Sequence, residues 1–264
     1  MIRFCPLFSS SSGNSVYIGD NDGGILVDVG RSAKQTEIML KNIGVDANTI
    51  KGIFITHEHT DHICGVKVFA KRYNIPVYAS PATVLELKRK EILTPSHIDI
   101  TINDSPVSVA GMSVLPVRTS HDCADGRGYV ITGSDGYTKV SVATDTGYVT
   151  NDIIEKISGS KLLYIESNHD VKMLRSGPYP YQLQQRILSN IGHLSNNACA
   201  EALKTLINNG TTHIILAHLS QENNTPELAF NTSVNALTEI GALNNRDYIL
   251  KVAKPENDSG VITV

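Results

Sequence analysis

The sequence predicts an α/β protein in which sheets stack and helices cover their outer faces. Two observations carry this. Short apolar or alternating runs of strand length gather into two β-rich halves, and each half is flanked by stretches with helical periodicity. The 264 residues show no internal repeat and no long linker, so one domain spanning residues 1–264 is expected. With 41% apolar and 19% charged residues, such a chain can bury a full core.

The N-terminal segment reads as strands at Ile2–Phe8, Val16–Ile18 and Gly24–Val29, separated by turn residues. Ser32 is a helix cap for the amphipathic stretch Ala33–Ile43. Ile53–Ile55 is a buried strand running straight into a histidine cluster, and Ile63–Tyr73 is the helix that follows. Val77–Ala79 is a strand, and Pro81–Lys90 a helix that opens on proline, whose fixed φ and missing N–H suit a first turn.

The middle of the chain is β-rich again: Ile98–Ile102, Val107–Ala110, Met112–Thr119, Tyr129–Thr132 and Lys139–Ala143. Helix Asn151–Ile157, strand Leu162–Glu166, helices Pro180–Asn190 and Asn196–Asn208, strand His213–Ala217, helix Pro226–Ile240 and strand Tyr248–Val252 complete it. In stacked sheets of this kind the loops at one end of the strands gather to form a site.

Bulk properties narrow the class. A net charge of −3 disfavours a protein that coats nucleic acid non-specifically, so a nucleic-acid substrate would be gripped locally or through metal ions. Cys5, Cys64, Cys123 and Cys199 form no C-x-x-C pair and read as reduced thiols. Met1–Phe8 lacks the features of a signal peptide, and no apolar run approaches the roughly 20 residues of a membrane span. A cytoplasmic protein with no membrane partner is expected.

The chemistry concentrates in His57-Glu58-His59-Thr60-Asp61-His62. Imidazole and carboxylate suit zinc, and also iron or manganese. In an extended stretch, residues two apart face the same way, so His57 and His59 can share one ion while Asp61 and His62 serve a second. The spacing is not H-E-x-x-H, which disfavours a helical zinc-protease motif. Further donors stand at strand ends: His121, Asp145 and His218. Near helix Asn196–Asn208, Gly192-His193-Leu194-Ser195 offers either an ordinary serine cap or a histidine placed beside a natural phosphate site.

Asp28 in Ile25–Gly30, the His57–His62 cluster, His121, Asp145 and His218 resemble, in order, the five motifs of the metallo-β-lactamase superfamily. The resemblance implies a four-layer αβ/βα sandwich. It implies His57, His59 and His121 on one divalent ion, Asp61, His62 and His218 on another, and Asp145 bridging, with Asp28 orienting the site. Zinc is the expected metal, with manganese or iron as alternatives.

Glu166 followed by Gly-His-x-Ser is similar to the Glu–His relay of the tRNA 3′-processing nucleases, which implies that His193 protonates the leaving oxygen and Glu166 orients it. The turn Ser9–Ser15, with Asn14 and Ser15, and the segments Glu166–Asp170, containing His169, and Ala217–Ser220 resemble the WalJ/YycJ-type branch. That resemblance implies a 5′→3′ DNA exonuclease in which a metal-bridging hydroxide, aligned by Asp61, attacks phosphorus. Asn14, Ser15 and His169 are then expected to orient ligands or to touch substrate. The alternative is a small-molecule ester, thioester or cyclic phosphodiester hydrolase on the same fold.

Overall fold

The computed structural model describes residues 1–264. In chain order the strands are β1 (Arg3–Ser10), β2 (Gly13–Asp20), β3 (Gly23–Val27), β4 (Ile50–Phe54), β5 (Val77–Ala79), β6 (Asp99–Thr101) and β7 (Val107–Val109), followed by β8 (Met112–Arg118) and β9 (Arg127–Thr132). Then come β10 (Lys139–Ala143), β11 (Leu162–Glu166), β12 (His213–Ala217), β13 (Ile249–Val252) and β14 (Ile262–Thr263). The helices are α1 (Ala33–Asn42), α2 (Thr60–Ile63), α3 (Val66–Tyr73), α4 (Pro81–Arg89) and α5 (Asn151–Ile157). The remaining helices are α6 (Val171–Ser176), α7 (Tyr181–Ile187), α8 (Asn196–Asn208) and α9 (Pro226–Glu239).

The chain divides into two compact units. The first comprises Met1–Pro116, Cys123–Thr138 and Lys254–Val264; the second comprises Val117–Asp122 and Lys139–Ala253.

In the first unit a sheet runs β14-β1-β2-β3-β4-β5-β6. β1, β2 and β3 are antiparallel neighbours, whereas β3 through β6 are parallel. β7 and β8 make an antiparallel hairpin. The core beneath the sheet packs Leu26, Ile53, Ile55 and Val77 against Leu40, Val66, Phe69 and Leu87 from the helices. Burial of such side chains is the dominant favourable contribution to folding. Ser32 caps α1 as expected, in a capping box completed by Gln35.

In the second unit β10, β11, β12 and β13 are parallel neighbours. Parallel strands need helical crossovers, and α5, α8 and α9 supply them. α8 buries Cys199, Ala200, Leu203 and Leu206, one stripe at helical spacing, and packs against α5 and α9. Ser195 Oγ accepts from Ala198 N at 3.2 Å, so the capping role holds.

Some expected elements differ. The helix expected over Ile63–Tyr73 is two pieces, α2 and α3, broken at Cys64–Gly65. There the backbone is pressed against its neighbour: a Cβ on Gly65 would lie 2.1 Å from the Arg31 carbonyl oxygen. The helix expected over Pro180–Asn190 is confined to α7, because Ser189–Gly192 turns back. α6 is unforeseen; the Asp170 side chain caps it by accepting from Met173 N at 2.8 Å. β14 is also unforeseen, since two residues carry no periodicity.

Candidate metal centre

In the first unit, β3 and β4 end side by side, and the chain leaves β3 through Asp28 at φ 61°. Asp28 Oδ1 accepts from Thr56 N at 2.8 Å. Its Oδ2 accepts from Thr56 Oγ1 at 2.7 Å and lies 2.7 Å from His62 Nδ1. Burial pushes the Asp28 carboxyl above its ordinary value, while His62 and the Thr56 donors pull against that shift. With Nδ1–H of His62 directed at Asp28, Nε2 is the ring nitrogen that carries the lone pair. Thr56 Oγ1, its proton on Asp28, also accepts from His57 Nδ1 at 3.0 Å and so fixes the same tautomer on His57.

The Asn14 amide donates from Nδ2 to Asp61 Oδ2 and to His62 Nε2, both at 3.1 Å. Two lone pairs therefore converge on one positively polarised group. His57 packs closely against its neighbours, its ring centre 4.5 Å from that of His59, edge to face, and 4.2 Å from that of His62, tilted. His57 and His62 are buried, whereas His59 and Asp61 are half-buried. Ser15 Oγ donates to the Asp28 carbonyl at 2.8 Å and so supports the turn from behind. Glu58 points elsewhere: its Oε1 accepts from Ala124 N at 2.8 Å, and its carbonyl accepts from Lys90 Nζ at 2.8 Å.

In the second unit the functional side chains sit at the C-terminal ends of parallel strands, where open α/β sheets place their sites. Asp145 follows β10, Glu166 closes β11, and His218 follows β12. Asp145 and His218 adopt φ values of 57° and 55°, as Asp28 does at 61°. Left-handed backbone at a non-glycine residue costs on the order of 1 kcal/mol and persists only where surroundings enforce it.

Glu166 Oε1 accepts from His193 Nδ1 at 2.8 Å and from His218 Nδ1 at 2.9 Å. Its Oε2 accepts from Thr146 N at 3.0 Å and Leu194 N at 3.2 Å. Burial alone would raise the Glu166 carboxyl. The charges and hydrogen bonds of His193 and His218 outweigh it and hold the group well below the usual carboxylate range. Conversely, burial would lower His193, and the charge and hydrogen bond of Glu166 raise it.

Asp145 Oδ1 stands 3.5 Å from His218 Nδ1, 3.8 Å from His193 Nδ1 and 4.0 Å from His121 Nε2. His121 Nδ1 donates to the Gly192 carbonyl at 3.0 Å, so Nε2 again carries the lone pair. Ligand atoms of Asp145, Glu166, His193 and His218 all lie within 4.8 Å of one another.

His169 is buried at 1% exposure, and burial drives its pKa down to about 4 against the pull of Glu166. The strand-like segment around it ties two loops together. Asn168 N donates to Leu194 O and Asn168 Nδ2 to the His218 carbonyl, both at 2.8 Å.

The basic residues after the cluster mostly have intramolecular partners. Arg72 pairs with Glu37, Lys88 with Asp99 at 2.7 Å and Arg89 with Glu86 at 2.7 Å. Thr56 and the Glu58–Ala124 clasp were not foreseen. A hydroxyl directly before His57 was the one available signal for Thr56.

The donor set fits divalent metal ions. His57, His62, His121 and His218 each have Nδ1 held by a protein acceptor, the arrangement that orients an imidazole for coordination through Nε2, and carboxylates complete the set.

Comparison with known proteins agrees. The sequence profile of the metallo-beta-lactamase superfamily matches residues 10–218. The chain is 38% identical over 242 residues to the exodeoxyribonuclease YycJ of Bacillus anthracis, covering 91% of this chain and 90% of that one. It is 37% identical over 240 residues to the exodeoxyribonuclease WalJ of Streptococcus pneumoniae, covering 90% and 88%. Among solved structures, the metallo-beta-lactamase fold protein YhfI of Bacillus subtilis matches with a TM-score of 0.72 at 18% identity, over 97% of this chain and 98% of that one. The short form of human tRNase Z matches with a TM-score of 0.65 at 16% identity, over 99% and 98%. At such identities these two matches establish the fold alone.

Proposed function

This chain belongs to the metallo-β-lactamase superfamily, and we propose that it is a metal-dependent phosphodiesterase that degrades DNA from an end, in the 5′→3′ direction. In this reading residues 1–264 act as one metallo-β-lactamase-like domain. His57, His59 and His121 hold one divalent ion, Asp61, His62 and His218 hold a second, and Asp145 bridges them. Zinc is the metal proposed, and the cytoplasm the compartment; no helix is long and apolar enough to cross a membrane. Bound ions of this kind lower the pKa of water and neutralise charge developing on phosphoryl oxygens.

The observation that carries the reading is the double hydrogen bond into Glu166 Oε1, supported by extended similarity to two exodeoxyribonucleases. It couples His193 to His218 through one buried carboxylate. His193 is the accessible partner, its side chain 22% exposed against 3% for His218. With Nδ1 engaged, His193 presents Nε2 to substrate and delivers a proton to the leaving oxygen. Glu166 stabilises the protonated imidazole and fixes its orientation. Asp28 holds His62 in one tautomer, Ser15 supports Asp28, and Asn14 orients Asp61 for alignment of the attacking water. Asn168 joins the His193 and His218 loops, the His169 carbonyl accepts from Asn196 N beside it, and the buried His169 ring packs within that segment.

The test is digestion of end-labelled single- and double-stranded DNA by purified protein of measured metal content, with thioester and cyclic phosphodiester substrates alongside. Mononucleotides released from the 5′ end support the reading. Intact DNA with turnover of a small ester overturns it.

A further inference from the structure

Arg31 lies in the segment between β3 and α1, beside the serine-rich turn that joins β1 to β2. Its Nη2 donates to Ser12 Oγ at 2.8 Å, and the guanidinium sits 5.9 Å from the centre of the Phe8 ring. No carboxylate pairs with it. Ser10 Oγ is 2.9 Å from Ser12 Oγ, and Ser10 N donates to Asn14 Oδ1 at 3.1 Å. Asn14 in turn donates to Asp61 at 3.1 Å.

The backbone draws this turn against the histidine cluster. Gly30 N donates to Asn14 O at 2.8 Å, and a Cβ on Gly30 would fall 1.8 Å from the Asp61 carbonyl oxygen. Gly13 leaves room for the arginine stem, since a Cβ there would meet Arg31 Cδ at 2.6 Å. Ser11 and Ser12 are exposed.

An arginine that only braced the turn would not need a planar fork of five donors with a single side-chain hydrogen bond made. An unneutralised guanidinium beside the exposed Ser12 hydroxyl matches the non-bridging oxygens of a phosphate, while buried Ser10 holds Ser12 from behind. We infer that Arg31 and Ser12, the latter positioned by Ser10, form a subsite for a backbone phosphate of the nucleic-acid strand, beside Asp61 and His62. The inference rests on the nuclease reading above. It also answers how a chain of net charge −3 grips a polyanion: locally, next to the reacting phosphate.

The experiment measures binding of a fluorescein-labelled single-stranded oligonucleotide to chelator-treated protein by anisotropy over a salt series. Arg31→Gln is expected to weaken binding about tenfold and to reduce the salt slope by about 0.7, the value of one phosphate contact on a single strand. Arg31→Lys is expected to restore the slope and only part of the affinity, because the charge returns without the fork. Gly13→Ala retains the guanidinium but displaces it, and is expected to weaken binding similarly. With metal-loaded protein, Arg31→Gln is expected to raise KM and spare kcat at unchanged metal content.

Circular dichroism and thermal melting accompany each variant, and Ser12→Ala, on the exposed turn, repeats the measurement without touching the arginine. Wild type that binds and cleaves DNA while folded Arg31→Gln or Ser12→Ala keeps its affinity and slope overturns the subsite alone. Wild type that neither binds nor cleaves the oligonucleotide overturns the nuclease reading and the subsite with it. Inorganic phosphate that displaces the oligonucleotide at stoichiometric concentration would assign the pocket to free phosphate and overturn the strand-binding proposal.

Discussion

His193 Nδ1 lies 2.8 Å from Oε1 of Glu166, an oxygen already receiving a hydrogen bond from His218. One buried carboxylate thus governs an accessible imidazole and a buried one. Its second oxygen takes two backbone N–H donors, so the carboxylate has no freedom to favour one histidine over the other. Orientation of the proposed proton donor and orientation of a proposed metal ligand are therefore a single structural variable.

Substitutions at these two residues should separate accordingly. His193→Ala removes only the proposed proton donor, and kcat should fall by roughly 10²–10⁴ with metal content intact. Glu166→Gln should lower kcat comparably and, because His218 loses its anionic partner, also weaken metal affinity by roughly 10–100-fold. Metal analysis of both variants beside their kinetics is the check. Equal metal retention in both would show that Glu166 does not act through His218.

Asp28→Asn isolates the equivalent support in the first unit. Asparagine tolerates left-handed backbone, so the turn at φ 61° should survive. The amide cannot reproduce both an acceptor for His62 and one for Thr56 Oγ1 from the same atom with full charge. Metal affinity should drop roughly 10–100-fold while the fold, read by circular dichroism, is retained. Unchanged affinity in a competition titration would remove Asp28 from the orienting role.

Much of this arrangement is legible in the sequence, and the reason is local. His57, His59, Asp61 and His62 lie within one turn, and the turn follows an apolar strand, so pattern alone places them together. Asp145 and His218 follow equally plain strands. What stays hidden depends on close approach between distant segments. The break at Cys64–Gly65 arises from backbone pressed on Arg31, and Arg31 itself sits in an unremarkable stretch between strand and helix. Thr56 gains its role only because β3 and β4 are neighbours, which brings Asp28 beside it. The basic run Lys88–Lys90 is likewise taken up by partners that the fold supplies: Asp99, Glu86 and the Glu58 carbonyl.

Gly30→Ala should be among the most damaging small substitutions. The new methyl would overlap the Asp61 carbonyl and the Asn14 amide nitrogen, at 1.8 Å and 2.4 Å, and both are backbone atoms that cannot swing aside. A loss of about 3 kcal/mol is expected, at the upper end for overpacking. Denaturant unfolding measures it, and a shift under 1 kcal/mol would mean that the two segments part easily.

Asp20 gives the fold a pH dependence remote from the histidines. Burial would raise its carboxyl, but the backbone and hydroxyl donors of Ser134, each at 2.8 Å, and the Asn21 amide hold it below its ordinary value. A depressed folded pKa means that the stabilisation is complete above the unfolded value, near 3.8, and is lost as pH falls through the folded one. Asp20→Asn should therefore destabilise by about 1 kcal/mol at neutral pH. The gap between variant and wild type should close below the ordinary carboxylate range. Denaturant midpoints at both pH values test it, and a gap that persists in acid would assign the effect to shape rather than charge.

Metal removal should act on stability as well as activity. His62 and Asp28, and His218 and Glu166, are oriented before any ion arrives, so a cation binds the folded chain and not the unfolded one. Linkage then stabilises the fold by about 2.7 kcal/mol at a free metal concentration one hundred times Kd. Chelator should lower Tm and abolish DNA cleavage, and zinc or manganese should restore both. Each unit offers carboxylate and imidazole donors, so restoration should require more than one equivalent of metal per chain. Full activity recovered at a single equivalent would overturn the proposed pair of ions.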